Sequence, residues 1–361
     1  MTDQQIFDMA PCLESGPLGE KGLPFVKAAL EVPKTIPGDI LKTWATYYVF
    51  RAKEEAFNGG EDPTGGITTA LAEQQHFLQC FQQLQLELFR TTGIDEKTRE
   101  NIAAVELETG NHYGNLFRAF DADKYFGEAA ELLGNRLRAN DIFPEDLGSK
   151  TVLDAGCGGG RYSAAWKQLG AGKVVGADFS EVGIASAKER LKGTDLEVHY
   201  QKEDVLDMSF DDDAFDIVFS NGVLHHTRDC EKGIHEMVRV LKPGGMGWLY
   251  LIENPGGYFW DTIEILRVIM KDVSNEVARA ALHILNVPTN RIFYILDHIM
   301  VPINLRLTDQ EIRDILTAAG AKGIKRLERG HGFDRVERIY QKDPYAEMKY
   351  GVGEHRYVFS K

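Results

Sequence analysis

Three carboxylates and a run of glycines are the residues whose types and spacing can do chemistry. The stretch Val152-Leu153-Asp154-Ala155-Gly156-Cys157-Gly158-Gly159-Gly160-Arg161 reads as an apolar strand entering a glycine-rich turn and then a helix. Glycines there permit unusual backbone angles and let a ligand approach the main chain closely. The spacing is acidic-x-Gly-x-Gly-x-Gly, beginning at Asp154. It fails the dinucleotide fingerprint G-x-G-x-x-G, because Arg161 stands where the last glycine belongs. No pyrophosphate need be cradled. The strand-end acid can instead order the loop or meet an ammonium group.

Two further carboxylates lie where a nucleoside needs them. Asp178 ends the next strand, where a carboxylate accepts bonds from both ribose hydroxyls. Asp204, in Lys202-Glu203-Asp204-Val205, follows the third strand and can accept an amino proton from adenine. Each acid alone reads equally as a solvated strand end or a helix cap. Three at successive strand ends, beside a glycine loop, point to a bound nucleoside.

The elements that must position these residues alternate from Lys150 onward. Thr151–Asp154, Lys173–Asp178, Leu196–Gln201, Phe215–Ser220 and Gly247–Ile252 read as strands. Helices are expected from about Tyr162 to Leu169, over 181–191 with Ser180 as N-cap, and through Ile234, Met237, Val238 and Leu241, stopping at Lys242-Pro243-Gly244-Gly245. Thr308-Asp309-Gln310-Glu311 has the form of a capping box for a helix over 309–319, closed by Gly320. Strands over Lys322–Glu328 and Arg356–Ser360 complete the set. Such alternation predicts an α/β fold, doubly wound around a mostly parallel sheet, with the ligand at the carboxyl ends of the strands.

Residues 150–253 resemble the core of class I S-adenosylmethionine-dependent methyltransferases, within the group that includes ubiquinone/menaquinone-type and small-molecule enzymes. The stretches carrying the likeness are Leu153–Gly160, Val175–Ser180, Glu203-Asp204-Val205, Phe215–Asn221, Val223-Leu224-His225-His226 and Val240–Gly245. The resemblance implies S-adenosyl-L-methionine as cofactor and an antiparallel last strand. It places Gly156 and Gly158, within the loop from Asp154 to Gly160, against the methionine portion. Asp178 would bind ribose, Phe179 would flank adenine, Asp204 and Val205 would read its edge, and Asn221 would lie beside the sulfonium end. Tyr113 precedes the core at the distance where related enzymes place an aromatic lid; Phe117, Tyr125 and Phe126 are neighbouring candidates. The alternative for these aromatics is ordinary packing.

The methyl acceptor is less legible. His225 or His226 can remove a hydroxyl proton near neutral pH, which suits O-methylation; the same pair can simply shape a pocket. Glu253 can orient a histidine or an acceptor hydroxyl, or face water as a strand-end acid. Tyr258 and Arg335 are candidate substrate contacts. Arg335 stands with Arg329, His331, Arg338 and His355 in a local basic cluster able to hold a carboxylate or phosphate, or to be a solvated surface. Asn254-Pro255-Gly256-Gly257-Tyr258 resembles an amino-methyltransferase box but follows the wrong strand and lacks its second proline. The expected reaction is methylation of a small-molecule oxygen with a histidine base. S- or N-methylation of a small carboxylate-bearing metabolite is the alternative, and a catalytically silent cofactor-binding scaffold is the reading from a different class.

Before residue 146 the periodicity is helical. Leu41, Trp44, Ala45, Tyr48, Val49, Ala52 and Ala56 follow one helical stripe, with further helices over about 69–91 and 98–140. Residues 1–40, carrying five prolines, are expected to form an irregular arm. The expected division is a helical region over 1–145, serving as substrate cover or dimer interface, and a catalytic domain over 146–361 with a helical insertion at about 254–306. The chain carries 41 Lys+Arg against 55 Asp+Glu, a net charge of −14, which argues against nonspecific nucleic-acid binding. No apolar run approaches the roughly 18 residues of a membrane span. Four scattered cysteines show no metal spacing, so no metal is expected. With a start lacking the basic, apolar signature of a secretory signal, these features predict a cytoplasmic protein, and the apolar stripes of the N-terminal helices, more than a lid needs, predict a homodimer.

Overall fold

The computed structural model describes residues 1–83, 122–327 and 342–361. These fall into two compact units. One comprises Met1–Glu100, Gly256–Val301 and Asp343–Gly351; the other comprises Asn101–Pro255, Pro302–Lys342 and Val352–Lys361. This division differs from a single cut at residue 145: the helix Ala122–Ala139 falls in the second unit, and Gly256–Val301 of the insertion falls in the first.

The second unit is built on seven strands: β1 Thr151–Ala155, β2 Lys173–Asp178, β3 His199–Lys202, β4 Phe215–Asn221, β5 Leu241–Leu251, β6 Lys322–Arg326 and β7 His355–Ser360. Their order is β3-β2-β1-β4-β5-β7-β6. The first five are parallel, and β7 runs antiparallel to both β5 and β6. The chain leaves β1 toward β2 and β3, then returns to place β4 on its other side. That reversal opens a crevice at the carboxyl ends of β1 and β4, where α/β sheets bind ligands.

Alternation along the strands divides the core between the two faces. Leu153, Val175, Val218, Leu249 and Phe359 pack on one face with Ile234 and Met237 of the helix Cys230–Val240 and with Ile312 and Leu316 of the helix Asp309–Ala318. Val152, Val174, Ile217, Phe219 and Trp248 pack on the other with Leu133, Leu137 and Trp166. There Phe219 stacks on Trp248 at 5.5 Å and meets the edge of Trp166 at 5.7 Å between ring centroids. Such pairs contribute about 0.5–1.5 kcal/mol each beyond area burial. The stack anchors the carboxyl end of β4, immediately before the site.

Most element ends follow their capping chemistry. Ser180 accepts from the Gly183 N–H to open the helix Glu181–Leu191, and Thr308 with Glu311 forms a reciprocal capping box. Two strands differ from expectation. β3 covers only His199–Lys202, and β5 already begins at Leu241, pairing with Phe215 before Lys242–Gly245 bulge out and pairing resumes at Met246 with Ile217.

The first unit is helical, and it overturns the irregular arm expected for residues 1–40. Helices occupy Asp3–Met9 and Pro17–Glu31, and the long helix Ile36–Asn58 follows. Pro11, Pro17 and Pro37 occupy the first or second position of their helical segments, where a missing N–H costs nothing. In Ile36–Asn58 the buried side includes Leu41, Ala45, Val49 and Phe50, whereas Tyr48 is exposed, so the apolar stripe is narrower than its sequence suggests. The helices Thr64–Gln83, Gly257–Met270, Asn275–Ile284, Thr289–Met300 and Ala346–Tyr350 complete this unit. Among the described residues, no helix is long and apolar enough to cross a membrane.

Candidate active site

Strand β1 delivers Asp154 and Ala155 to a loop that β2 holds in place. The N–H groups of Gly156 and Cys157 both donate to the Ala177 carbonyl, at 2.8 and 2.9 Å. Gly158 N–H donates to Asp178 Oδ2 at 2.7 Å, and Ser180 N–H donates to Asp178 Oδ1 at 2.8 Å. Asp178 therefore fastens the glycine loop to the turn that follows β2. Each of its oxygens keeps a second lone pair, which suits the two hydroxyls of a ribose. Burial raises its pKa, and the two backbone donors oppose that rise.

Glycine is demanded at two loop positions. At Gly156, with φ +84°, a Cβ would lie 2.3 Å from Val223 Cγ1; at Gly160, with φ +79°, it would lie 2.2 Å from the Tyr200 hydroxyl. The loop thus closes tightly on the segment following β4 and on β3. Asp154 is buried, and its Oδ2 accepts from Ser163 Oγ at 2.6 Å. Desolvation, aided by the nearby Asp178 charge and opposed by the Ser163 bond, pushes its pKa up to about 7. It orders the loop from beneath.

Phe179, just beyond β2, is 37% exposed, with Lys202 Nζ 5.7 Å from the ring centroid. An exposed aromatic face at a strand end suits stacking on a flat base. Asp204 Oδ1 accepts from Leu206 N–H at 2.9 Å, while Oδ2 lies 3.4 Å from Arg228 Nη2; Val205 is buried. The carboxylates and glycines thus converge at the carboxyl ends of β1, β2 and β3, in an arrangement fit for a nucleoside joined to an amino-acid tail.

Beyond β4 the chemistry changes. Trp248 Nε1 donates to Asn221 Oδ1 at 3.2 Å. An indole nitrogen only donates, so the amide oxygen must face it and the NH2 group is left to donate elsewhere. The short turn Leu224–His226 carries the histidine pair, whose ring centroids lie 4.2 Å apart. His225 is buried, and its Nδ1 has no hydrogen-bond partner among the described residues. Burial, with His226 alongside, holds its pKa well below the ordinary imidazole range. His226 Nδ1 lies 2.8 Å from the Ile303 carbonyl. A carbonyl only accepts, so Nδ1 carries the proton, and in the neutral ring the lone pair is on Nε2. The segment holding that carbonyl is itself fixed, since Leu305 N–H donates to the His225 carbonyl at 2.8 Å.

Glu253 is buried rather than facing water, and is joined to Leu307 by a parallel bridge. It acts electrostatically on Tyr250, a residue that sequence reasoning missed. Asn221 pairs with Tyr250 on β5, and Tyr250 pairs with Arg356 on β7, so the three form one row across the sheet. The Arg356 guanidinium stands 5.1 Å above the Tyr250 ring, whose centroid is 6.0 Å from that of His225. Burial and the Glu253 charge raise the Tyr250 pKa, while Arg356 and Arg136 oppose them. Strand register alone assembles this row, and no sequence motif signals it.

The remaining candidates fall elsewhere. Tyr258 belongs to the helical unit, where its hydroxyl pairs with Thr64 Oγ1 at 3.2 Å. Tyr113, Phe117 and Arg335, with Arg329, His331 and Arg338, lie outside the described residues. His355, expected with that basic cluster, is fully buried. Phe126 is likewise buried, packed on Ala164, which is the ordinary core role.

Residues 153–249 match the family described as a methyltransferase domain. A demethylmenaquinone methyltransferase of Clavibacter sepedonicus is 41% identical over 99 residues, covering 27% of this chain and 40% of that protein. A ubiquinone biosynthesis O-methyltransferase of Coxiella burnetii is 38% identical over 99 residues, covering 27% of this chain and 42% of that protein. The chain thus spans about two fifths of the length of these curated relatives. Among solved structures, an S-adenosylmethionine dependent methyltransferase from Mesorhizobium loti superposes with a TM-score of 0.43 at 17% identity, over 64% of this chain and 100% of that one. The glycine loop and the strand-end acids fall within the family match, so residues 153–249 are similar to a methyltransferase domain of the class I, S-adenosylmethionine-dependent kind.

Proposed function

We propose that the protein transfers a methyl group from S-adenosyl-L-methionine to a hydroxyl oxygen of a small molecule, with His226 as the general base. When bound, the cofactor supplies an electrophilic methyl on a sulfonium. In this reading Asp178 holds the ribose, Phe179 covers the adenine with Asp204 and Val205 at its edge, and the loop from Asp154 through Gly156, Gly158 and Gly160 meets the methionine portion. Asn221 stands at the sulfonium end. His226 accepts the hydroxyl proton at Nε2, and the observation that carries this role is the Nδ1 bond to the Ile303 carbonyl, which fixes ring and tautomer together. His225 keeps its neighbour's ring in place and stays neutral in its buried position. The relative named for O-methyl transfer in ubiquinone biosynthesis supports oxygen as the attacking atom.

The test is turnover of methyl-labelled cofactor against a panel of phenols, thioethers and amines, alongside cofactor affinity by calorimetry. Methylated phenol as the dominant product supports the reading; methyl transfer to sulfur or nitrogen alone overturns the hydroxyl acceptor. Cofactor binding without turnover on any acceptor would favour a silent scaffold. The proposal includes a homodimer formed through the N-terminal helices, and sedimentation showing a monomer at micromolar concentration would remove that part.

A further inference from the structure

The helical unit buries a lysine that the methyl-transfer reading does not use. Lys53, on the helix Ile36–Asn58, is fully buried, and its amine has no hydrogen-bond partner among the described residues. Its Nζ lies 3.9 Å from the centroid of Phe50 and 4.1 Å from that of Phe259. Tyr294 and His298 of the helix Thr289–Met300 extend this aromatic wall, with His298 centred 5.6 Å from Phe259 and 4.5 Å from Tyr294. Tyr294 is exposed, and Phe259 and His298 are partly so, which sets them as the outer side of the cluster. Lys53 forms its floor.

The electrostatics disfavour a resting cation. A buried ammonium without an acceptor is costly, and two ring faces recover only about 2 kcal/mol each when desolvated. Arg291 shares the same ring, its guanidinium 5.7 Å from the Phe50 centroid. The other titratable groups facing this cluster are Glu54, which pairs with Arg291, Asp297, His298, Tyr294 and, beyond Phe259, Tyr350. Burial first, and then the Arg291 charge, hold the Lys53 pKa well below the ordinary lysine range. A lysine desolvated beside another cation is an activated nucleophile.

We propose that Lys53 is a covalent carbonyl site, forming an imine with small aromatic aldehydes that enter between Phe259, Tyr294 and His298. The Nζ lone pair attacks the carbonyl carbon while the C–O π pair moves to oxygen. The resulting carbinolamine loses water, which carries away both former amine protons, and a C=N bond remains. His298 donates Nδ1–H to the Tyr294 carbonyl at 2.7 Å, so its lone pair is on Nε2 and can relay a proton in this exchange. No oxidant or reductant is required.

The test is incubation of the full chain with benzaldehyde and sodium cyanoborohydride, which traps an imine as a secondary amine, followed by peptide mass spectrometry. Labelling at Lys53 should depend less on pH between about 7 and 9 than labelling of exposed lysines, which rises about tenfold per unit as they deprotonate. At pH 7 Lys53 should lead the exposed lysines by at least about tenfold, and that lead should vanish in denaturant. Arg291→Gln keeps the amine but removes the repelling charge and leaves Glu54 without its partner. Burial, the larger cause of the lowered pKa, remains in that variant, so Lys53 labelling should slow only in part at pH 7 and stay ahead of the exposed lysines. An unlabelled Lys53, or one labelled only in step with exposed lysines, would overturn the proposal. The result is independent of cofactor binding and methyl transfer.

Discussion

Asp178 Oδ2 accepts the Gly158 N–H at 2.7 Å, so the acid that ends the second strand holds the glycine loop of the first. Its other oxygen holds the following turn through Ser180. In the proposed function, loop order and nucleoside binding are thereby joined in one carboxylate. Asp178→Ala should lower affinity for S-adenosylhomocysteine by about 2–4 kcal/mol, roughly 30- to 1,000-fold, through loss of charge-assisted bonds. Asp178→Asn should not rescue it, because an amide turns a donor toward one of two backbone donors. Calorimetry showing affinity retained in either folded variant would remove Asp178 from the site.

Asp154 gives the fold a pH dependence. Its pKa is raised from 3.8 to about 7 in the folded chain, so between those values the folded state holds a proton that the unfolded state has lost. Stability from this group is therefore highest at low pH, falls as pH rises through that window, and is level above about 7; the full span is on the order of 4 kcal/mol. Asp154→Asn keeps an oxygen for Ser163 and has no charge to bury. Denaturant melts should show the variant gaining on the wild type from pH 5 to pH 8. A constant difference across that range would show that Asp154 does not titrate there.

Gly156 meets two separate constraints, and a double variant distinguishes them. Gly156→Ala must adopt φ near +84° and place a methyl against Val223. The backbone contribution alone costs about 1–2 kcal/mol. Adding Val223→Ala removes the two γ-methyl contacts but leaves the Val223 Cβ 2.8 Å from the new methyl and the dihedral unchanged. The double variant should therefore recover part of the stability lost by Gly156→Ala, as read in thermal melts, and full recovery would show that the backbone angle costs nothing.

The legible parts of this protein are those whose chemistry is local. The Ser180 cap, the Thr308–Glu311 capping box and the acid at the end of β2 each declare themselves within a few residues. The cofactor half of the proposed site rests on such strand ends and on glycine spacing. The row Asn221–Tyr250–Arg356 could not, because it exists only through the pairing of β4, β5 and β7. The N-terminal prolines misled for the same local reason. Their residue type signals irregular chain, but at the start of a helix it signals nothing of the kind, and position is set by the surrounding packing. Lys53 shows the limit most clearly: on sequence it is one more cation on a helix, and only the approach of Phe259 from a distant segment encloses it.

The histidine pair offers the sharpest test of the proposed chemistry, because its two members should behave differently. A neutral hydroxyl attacks poorly, and a positioned base contributes about 100- to 10,000-fold. His226, with its tautomer set by the Ile303 carbonyl, should lose turnover by that order on replacement with Gln while cofactor affinity stays nearly unchanged. The wild-type rate should show an acidic limb, since a protonated ring cannot accept a second proton, and His226→Gln should flatten it. His225 contributes no such limb, since burial keeps it neutral. His225→Gln should act through packing, lowering stability and turnover together without altering the shape of the profile. Turnover measured from pH 5 to 9 in the three proteins, with cofactor affinity determined separately, distinguishes these outcomes. A flat wild-type profile with nearly full activity in His226→Gln would exclude the histidine base, and would move the expected acceptor to a sulfur or amine nucleophile that needs no base.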